Sequence, residues 1–147
     1  MTTESEAVRE PVLYLDTSAV LRAVVESGTS PLVEQRIREA RALVTSRLAL
    51  VESCRAFHRL RAGGRVSEER LAGAEREVAA IWSRCEVWEI SRGVCETACA
   101  VAVDRPLRAL DAIHLATFVL ARRQLSGLEL LTTDDRLEQA AAAVFRT

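Results

Sequence analysis

Four acidic side chains, Asp16, Glu52, Asp111 and Asp134, stand where the patterning of the chain could bring carboxylates together. Asp16 ends the short apolar run Val12-Leu13-Tyr14-Leu15, and Asp134 follows the run Leu128 to Leu131 through two threonines. In open α/β sheets, ligands bind beyond the carboxyl ends of the strands, so acids at two neighbouring strand ends face one crevice. Glu52 falls early in a helix that follows a strand, and Asp111 lies near the start of another, so both can lean over the same rim. Taken singly, each has an ordinary explanation: an Asp after a strand often caps a helix, and a Glu in a helix is usually solvated. Asp111 resists that explanation, because it is embedded in the apolar stretch Leu110 to Ala116. An acid there is costly unless it is paired or coordinates a cation. Four carboxylates in one crevice raise each other's pKa values, and a hard divalent cation removes that penalty. Oxygen-only ligands favour Mg²⁺ or Mn²⁺. Such ions activate water and stabilise the leaving oxygen of a phosphodiester, which makes metal-dependent phosphodiester cleavage the chemistry this set suggests.

Rival chemistries fail on particular residues. Every basic residue is Arg and there is no Lys, so neither a phosphate-binding loop of the GxxxxGK type nor a receiver-type phosphoacceptor site is complete. After the first strand stands Asp16-Thr17-Ser18-Ala19, not the glycine-rich turn of a dinucleotide site. A Cys or Ser hydrolase needs a placed histidine. Only His58 and His114 exist, and His114 shares a helix with Asp111 and reads as a packed helix residue. Cys54, Cys85, Cys95 and Cys99 form no CxxC pair, which disfavours structural zinc and suggests buried, reduced thiols.

The elements that must position the acids follow from periodicity and punctuation. Short apolar runs over Val12–Leu15, Leu43–Thr45, Val87–Ile90 and Leu128–Leu131 read as buried strands. Helices are expected over Ala19–Glu26, Pro31–Ala42, Arg47–Ala62, Ser67–Ser83, Ser91–Val103, Ala109–Gln124 and Arg136–Ala143. Thr17 and Ser18 can cap the first, Gly63-Gly64 ends the third, and Asp135 is expected to cap the last. In the long third helix, Leu48, Val51 and Leu60 are expected on the core side. Val144-Phe145 is a candidate edge strand. Strands alternating with helices imply α/β architecture, with helices on both faces of a central parallel sheet of four to five strands.

The whole chain, residues 1–147, reads as one domain, with 1–10 a loose lead-in. The formal net charge is -1, so contact with nucleic acid needs a local patch and not a general coat of positive charge. Arg55 and Arg59 follow Glu52 on one helical face and are candidates for it, although Arg55 could instead pair with Glu52. The polar first residues and the lack of a long apolar run point to a cytoplasmic protein with no membrane contact.

Together the segments Tyr14-Leu15-Asp16-Thr17-Ser18-Ala19, Leu50-Val51-Glu52, Leu107 to Ala116 and Leu130 to Asp134 resemble the PIN domain, and more narrowly the VapC-type toxins. They occur in the family's order and span nearly the whole chain. The resemblance implies a PIN-like three-layer α/β/α fold and an endoribonuclease using Mg²⁺ or Mn²⁺ held by Asp16, Glu52, Asp111 and Asp134. It also implies Thr17, Ser18 and Thr132 as supporting groups, structured RNA as substrate, inhibition by a cognate antitoxin, and a homodimer. An RNA-processing nuclease and an inactive binding protein on the same fold are the alternatives. A guanidinium from the antitoxin is a natural occupant of an acidic pocket. Leu21, Val24 and Val25, or Trp82 and Trp88, could supply apolar contacts to it, unless they fill the core or a dimer seam.

Overall fold

The computed structural model describes residues 10–146, so all but the end of the expected lead-in lies outside the described residues. Four parallel strands form one sheet: β1 (Val12–Leu15), β2 (Ala42–Ser46), β3 (Cys85–Trp88) and β4 (Leu128–Leu131), in the order β3-β2-β1-β4. Seven helices connect and follow them: α1 (Thr17–Val25), α2 (Pro31–Glu39), α3 (Arg47–Gly63), α4 (Glu68–Ser83), α5 (Arg92–Ala100), α6 (Ala109–Gln124) and α7 (Asp135–Val144). Side chains alternate across a strand, and β1 shows the consequence. Leu13 and Leu15 enter a core with residues of α1 to α4, including Val20, Ile37, Phe57, Leu71 and Trp82. Val12 and Tyr14 enter the opposite core with Leu115 and Phe118 of α6 and Leu137 and Ala140 of α7. The result is a three-layer α/β/α fold with β1 buried on both faces.

The order of strands fixes where the crevice opens. From β1 the chain steps to β2 and then β3 through helices on the first face. It returns through α6, on the second face, to β4 on the other side of β1. The direction of winding therefore reverses between β1 and β4. Their register pairs Leu15 with Leu131, so the residues that follow, Asp16 and Thr132, leave the sheet side by side.

Several expectations are corrected. Val144-Phe145 is no strand: Val144 ends α7, and the Phe145 ring packs edge-on against Phe118 at 5.7 Å with the Arg122 guanidinium 4.2 Å above it. α1 begins at Thr17, because the Asp16 side chain itself accepts from Ala19 N and caps it. Asp134 caps α7, leaving Asp135 as the first helical residue. Val51 is exposed, since the inward face of α3 runs through Leu48, Ala49, Ser53, Ala56 and Phe57. That face, recurring every three to four residues, draws Glu52 to the edge of the core. Three cysteines, Cys54, Cys95 and Cys99, are exposed, the last two on an α5 whose one buried side chain is Val94. Cys85 is partly buried, and burial pushes its thiol up to about 12.

Trp82 is buried and donates its indole N–H to Ser53 Oγ at 3.1 Å, and Trp88 packs on the second core. Leu21, Val24 and Val25 are only partly buried; Leu21 and Val25 line a groove with Ala56 and Leu60. Among the described residues, no helix is long and apolar enough to cross a membrane.

Leu137 is fully buried and ties α7 to the sheet. Replacing it with Ala is expected to cost about 2–5 kcal/mol, the usual range for truncating a buried Leu. Urea melts of the variant check this, and an unchanged midpoint would place α7 outside the core.

Candidate active site

At the reversal of winding, Asp16 is only 5 % exposed. Ser18 Oγ donates to its Oδ1 at 2.8 Å, Thr132 Oγ1 to its Oδ2 at 2.9 Å, and Ala19 N to Oδ1 at 3.2 Å. Burial pushes the Asp16 carboxyl above its ordinary pKa; those donors, with His114 nearby, pull it part of the way back. Thr132 does double service, since its Oγ1 also accepts from Asp134 N at 3.0 Å. Ser18 Oγ in turn accepts from Thr133 N at 3.1 Å. The segments after β1 and after β4 are thus stitched together by side chains that also hold the first acid.

Asp134 accepts from Arg136 N at 2.9 Å and Leu137 N at 3.4 Å through one oxygen, Oδ1. With Asp111, Ser18, Thr133 and Asp135, and with Arg108 and Arg136, it lines a cavity of about 580 Å³. Asp111, half-buried near the start of α6, has its pKa raised by burial and then by the charges of Asp134 and Glu52. Glu52 behaves otherwise, which corrects the expectation that all four acids are pushed up. Burial raises it, but hydrogen bonds from His114 and Thr17, with the charge of Arg59, outweigh burial and the net shift is downward. Thr17 Oγ1 donates to Glu52 Oε1 at 2.7 Å, and His114 Nε2 lies 2.5 Å from the same oxygen. Glu52 therefore pairs with His114 and not with Arg55, which is exposed. Arg59 lines the neighbouring groove with Ser18 and Thr133.

His114 is expected from the sequence as a packed helix residue. It is indeed buried, at 2 % exposure, but its ring is spent on two polar contacts, Tyr14 and Glu52. The spacing carried the signal: His114 is three residues after Asp111 and so shares its helical face. Arg108 and Arg136 were missed as wall residues because their places are set by the chain reversals before α6 and after β4.

The arginines that form ion pairs do so away from the cavity. Ion pairs join Arg22 to Glu26, Arg36 to Glu129, Arg47 to Glu89, Arg61 to Glu68 and Glu75, and Arg92 to Glu96. Among the described residues, none reaches Asp16, Asp111 or Asp134. A buried carboxylate left without a guanidinium in an arginine-rich chain suits a site kept for a cation, and the oxygen donors suit a hard one. The side chains as placed do not preassemble such a site: among the described residues, no three His, Cys, Asp or Glu groups could hold one ion between them. The donor chemistry fits, while the carboxylates stand in their hydrogen-bonded positions.

The family profile of the PIN domain matches residues 13–143. Ribonuclease VapC35 of Mycobacterium tuberculosis is 34% identical over 135 residues, 90% of this chain and 92% of that protein. Ribonuclease VapC45 of the same species is 29% identical over 133 residues, 90% and 91% of the two. In fold the chain is similar to PAE2754 from Pyrobaculum aerophilum, with TM-score 0.63 and 22% identity over 98% of this chain and 95% of that one. It is also similar to a chain of a toxin-antitoxin complex from Klebsiella pneumoniae, with TM-score 0.59 and 22% identity over 84% and 86%. The chain belongs to the PIN-domain family, and within it to the VapC type.

The raised pKa of Asp111 has a thermodynamic consequence. An acid that holds its proton more tightly folded than unfolded contributes stability below its ordinary pKa, and that contribution is lost as pH rises through the folded value. Metal-free Asp111→Asn is therefore expected to lose less stability than the parent as pH rises out of the acidic carboxylate range. At neutral pH it should be as stable as the parent or more so. Urea melts across pH decide, and a large loss at all pH values would make Asp111 a structural hydrogen-bonding group.

Proposed function

We propose that this chain is an endoribonuclease of the toxin type, dependent on a divalent cation and held in check by a protein antitoxin. What supports the reading is Asp16, buried at the β1/β4 reversal with no arginine paired to it among the described residues, beside a cavity lined by Asp111 and Asp134. The two relatives described above are themselves named ribonucleases, which supports the same reading. Asp16, Glu52, Asp111 and Asp134 would hold Mg²⁺ or Mn²⁺, which when bound supplies Lewis-acid and water-activating chemistry for phosphodiester hydrolysis.

The chain's own residues have separate tasks. Ser18 and Thr132 orient the Asp16 carboxylate, and Thr17 orients Glu52. Asp134 keeps Oδ2 clear of the α7 cap bonds, which both fall on Oδ1. Arg108 and Arg136 stand on the cavity wall beside the acids, and Arg59 beside the groove. These guanidiniums can take the RNA phosphates on either side of the acids, with Arg55 extending that flank on the exposed side of α3. Structured RNA is the substrate class we favour. A homodimer is the assembly we favour. For inhibition, an antitoxin side chain bearing a guanidinium would satisfy the same carboxylates bidentately and exclude cation and substrate together. The groove of Leu21, Val25, Ala56 and Leu60 offers the adjoining apolar surface.

Purified protein is expected to cleave RNA when Mg²⁺ or Mn²⁺ is added and to stop when the cation is chelated. Asp16→Asn should abolish cleavage without unfolding the chain, since Asn is as good a helix cap as Asp. Cation-independent cleavage, or full activity in Asp16→Asn, would overturn the reading.

Binding of RNA to Asp16→Asn, titrated across salt, tests the arginines. Replacing Arg136 with Ala should weaken binding and reduce the salt slope by about one phosphate contact. An unchanged slope for Arg108→Ala, Arg136→Ala and Arg59→Ala alike would move the RNA path off this wall.

A further inference from the structure

We propose that His114, held by Tyr14, is a positioning residue for Glu52: it fixes one carboxylate oxygen and leaves the other free for a cation in the crevice. The proposal rests on the nuclease reading for what Glu52 does, and on geometry alone for how it is held.

Tyr14 is fully buried in β1, two residues before Asp16. Its hydroxyl lies 2.8 Å from His114 Nδ1. The phenol is locked in place by Phe118, whose ring centroid is 5.8 Å away, and burial pushes its pKa well above the ordinary value, so the hydroxyl keeps its hydrogen and can donate it. A hydroxyl donating into Nδ1 leaves the imidazole hydrogen on Nε2. Nε2 is 2.5 Å from Glu52 Oε1, which Thr17 Oγ1 reaches at 2.7 Å from another direction. Both donors converge on Oε1. Oε2 receives no hydrogen bond among the described residues, and the Glu52 side chain keeps 27 % of its surface exposed. The carboxylate is thus presented with a defined oxygen free. A group that orients a metal-ligating carboxylate in this way is expected to act on affinity for the ion without touching it.

The relay links elements that are far apart in sequence. Tyr14 lies in β1, Thr17 in α1, Glu52 in α3 and His114 in α6.

The test measures binding of Mn²⁺ alone to the full chain by electron paramagnetic resonance, beside long-range proton–nitrogen spectra of the imidazoles. With two histidines in the sequence, and His58 exposed on α3, the spectrum is readily assigned. His114 is expected to carry its hydrogen on Nε2 and to be unprotonated on Nδ1. His114→Leu should weaken Mn²⁺ binding about 10- to 100-fold. His114→Gln, whose amide can still donate to Glu52, should restore most of it. Tyr14→Phe should keep the fold and broaden the tautomer distribution of His114, with a smaller loss of affinity. Combining His114→Leu with Glu52→Gln should add nothing to the loss from Glu52→Gln alone. Should His114→Leu not fold, Tyr14→Phe and His114→Gln decide. Parent-like affinity in every folded variant, or a hydrogen found on Nδ1, overturns the proposal. If the parent protein neither binds Mn²⁺ nor cleaves RNA, the nuclease reading falls, and the imidazole spectrum of Tyr14→Phe alone then decides whether the clamp exists.

Discussion

Asp16 is a carboxylate almost withdrawn from water and held by neutral donors instead of a guanidinium. Neutral donors satisfy its lone pairs without cancelling its charge. Most of the surrounding architecture depends on that choice. Ser18 and Thr132 exist as a bridge between the ends of β1 and β4 because each serves Asp16 and the neighbouring backbone at once. Had an arginine taken the position, the crevice would be neutral and closed, and the other acids would have no common target. The electrostatic cost of burying an uncompensated acid is offset by the packing of the two cores on either face of β1.

The sheet order explains where the crevice opens. β1 is the one strand whose neighbours, β2 and β4, are reached by connections on opposite faces. Residues leaving its carboxyl end enter a gap that no connecting helix fills, as in other open α/β sheets. α3 and α6 approach that gap from the two sides, which is how Glu52 and His114 come to share a hydrogen bond despite being 62 residues apart.

Much of this was legible in the chain. The four strands could be read because each is a short apolar run bounded by polar residues, and Asp16 and Asp134 because one follows such a run directly and the other after two threonines. Glu52 was legible through the helical repeat of α3, although that repeat faces inward through Leu48, Ser53, Ala56 and Phe57 and not through Val51. What resisted reading was which oxygen meets which donor. Asp135 and Asp134 are both competent caps, and only the backbone path out of β4 selects Asp134. The downward shift of Glu52 depends on His114, whose contact spans separate elements that no local pattern connects. Phe145 looked like the end of a strand because aromatic residues favour strands, but the aromatic ring of Phe118 and the Arg122 guanidinium claim it.

The pairing of β1 with β4 also has a bearing on how the protein comes into being. Val12 meets Leu128 and Leu15 meets Leu131, so the central strand acquires its second neighbour only after more than a hundred intervening residues have been made. Pairings of such separation form late, because the loop they close must first lose its conformational freedom. Thr132 reaches Asp16 by the same closure. A ribosome-bound chain made only through β3 carries Asp16 and Glu52 but not yet Asp111 or Asp134. Whatever activity the crevice supports is withheld from the nascent polypeptide until the fourth strand docks.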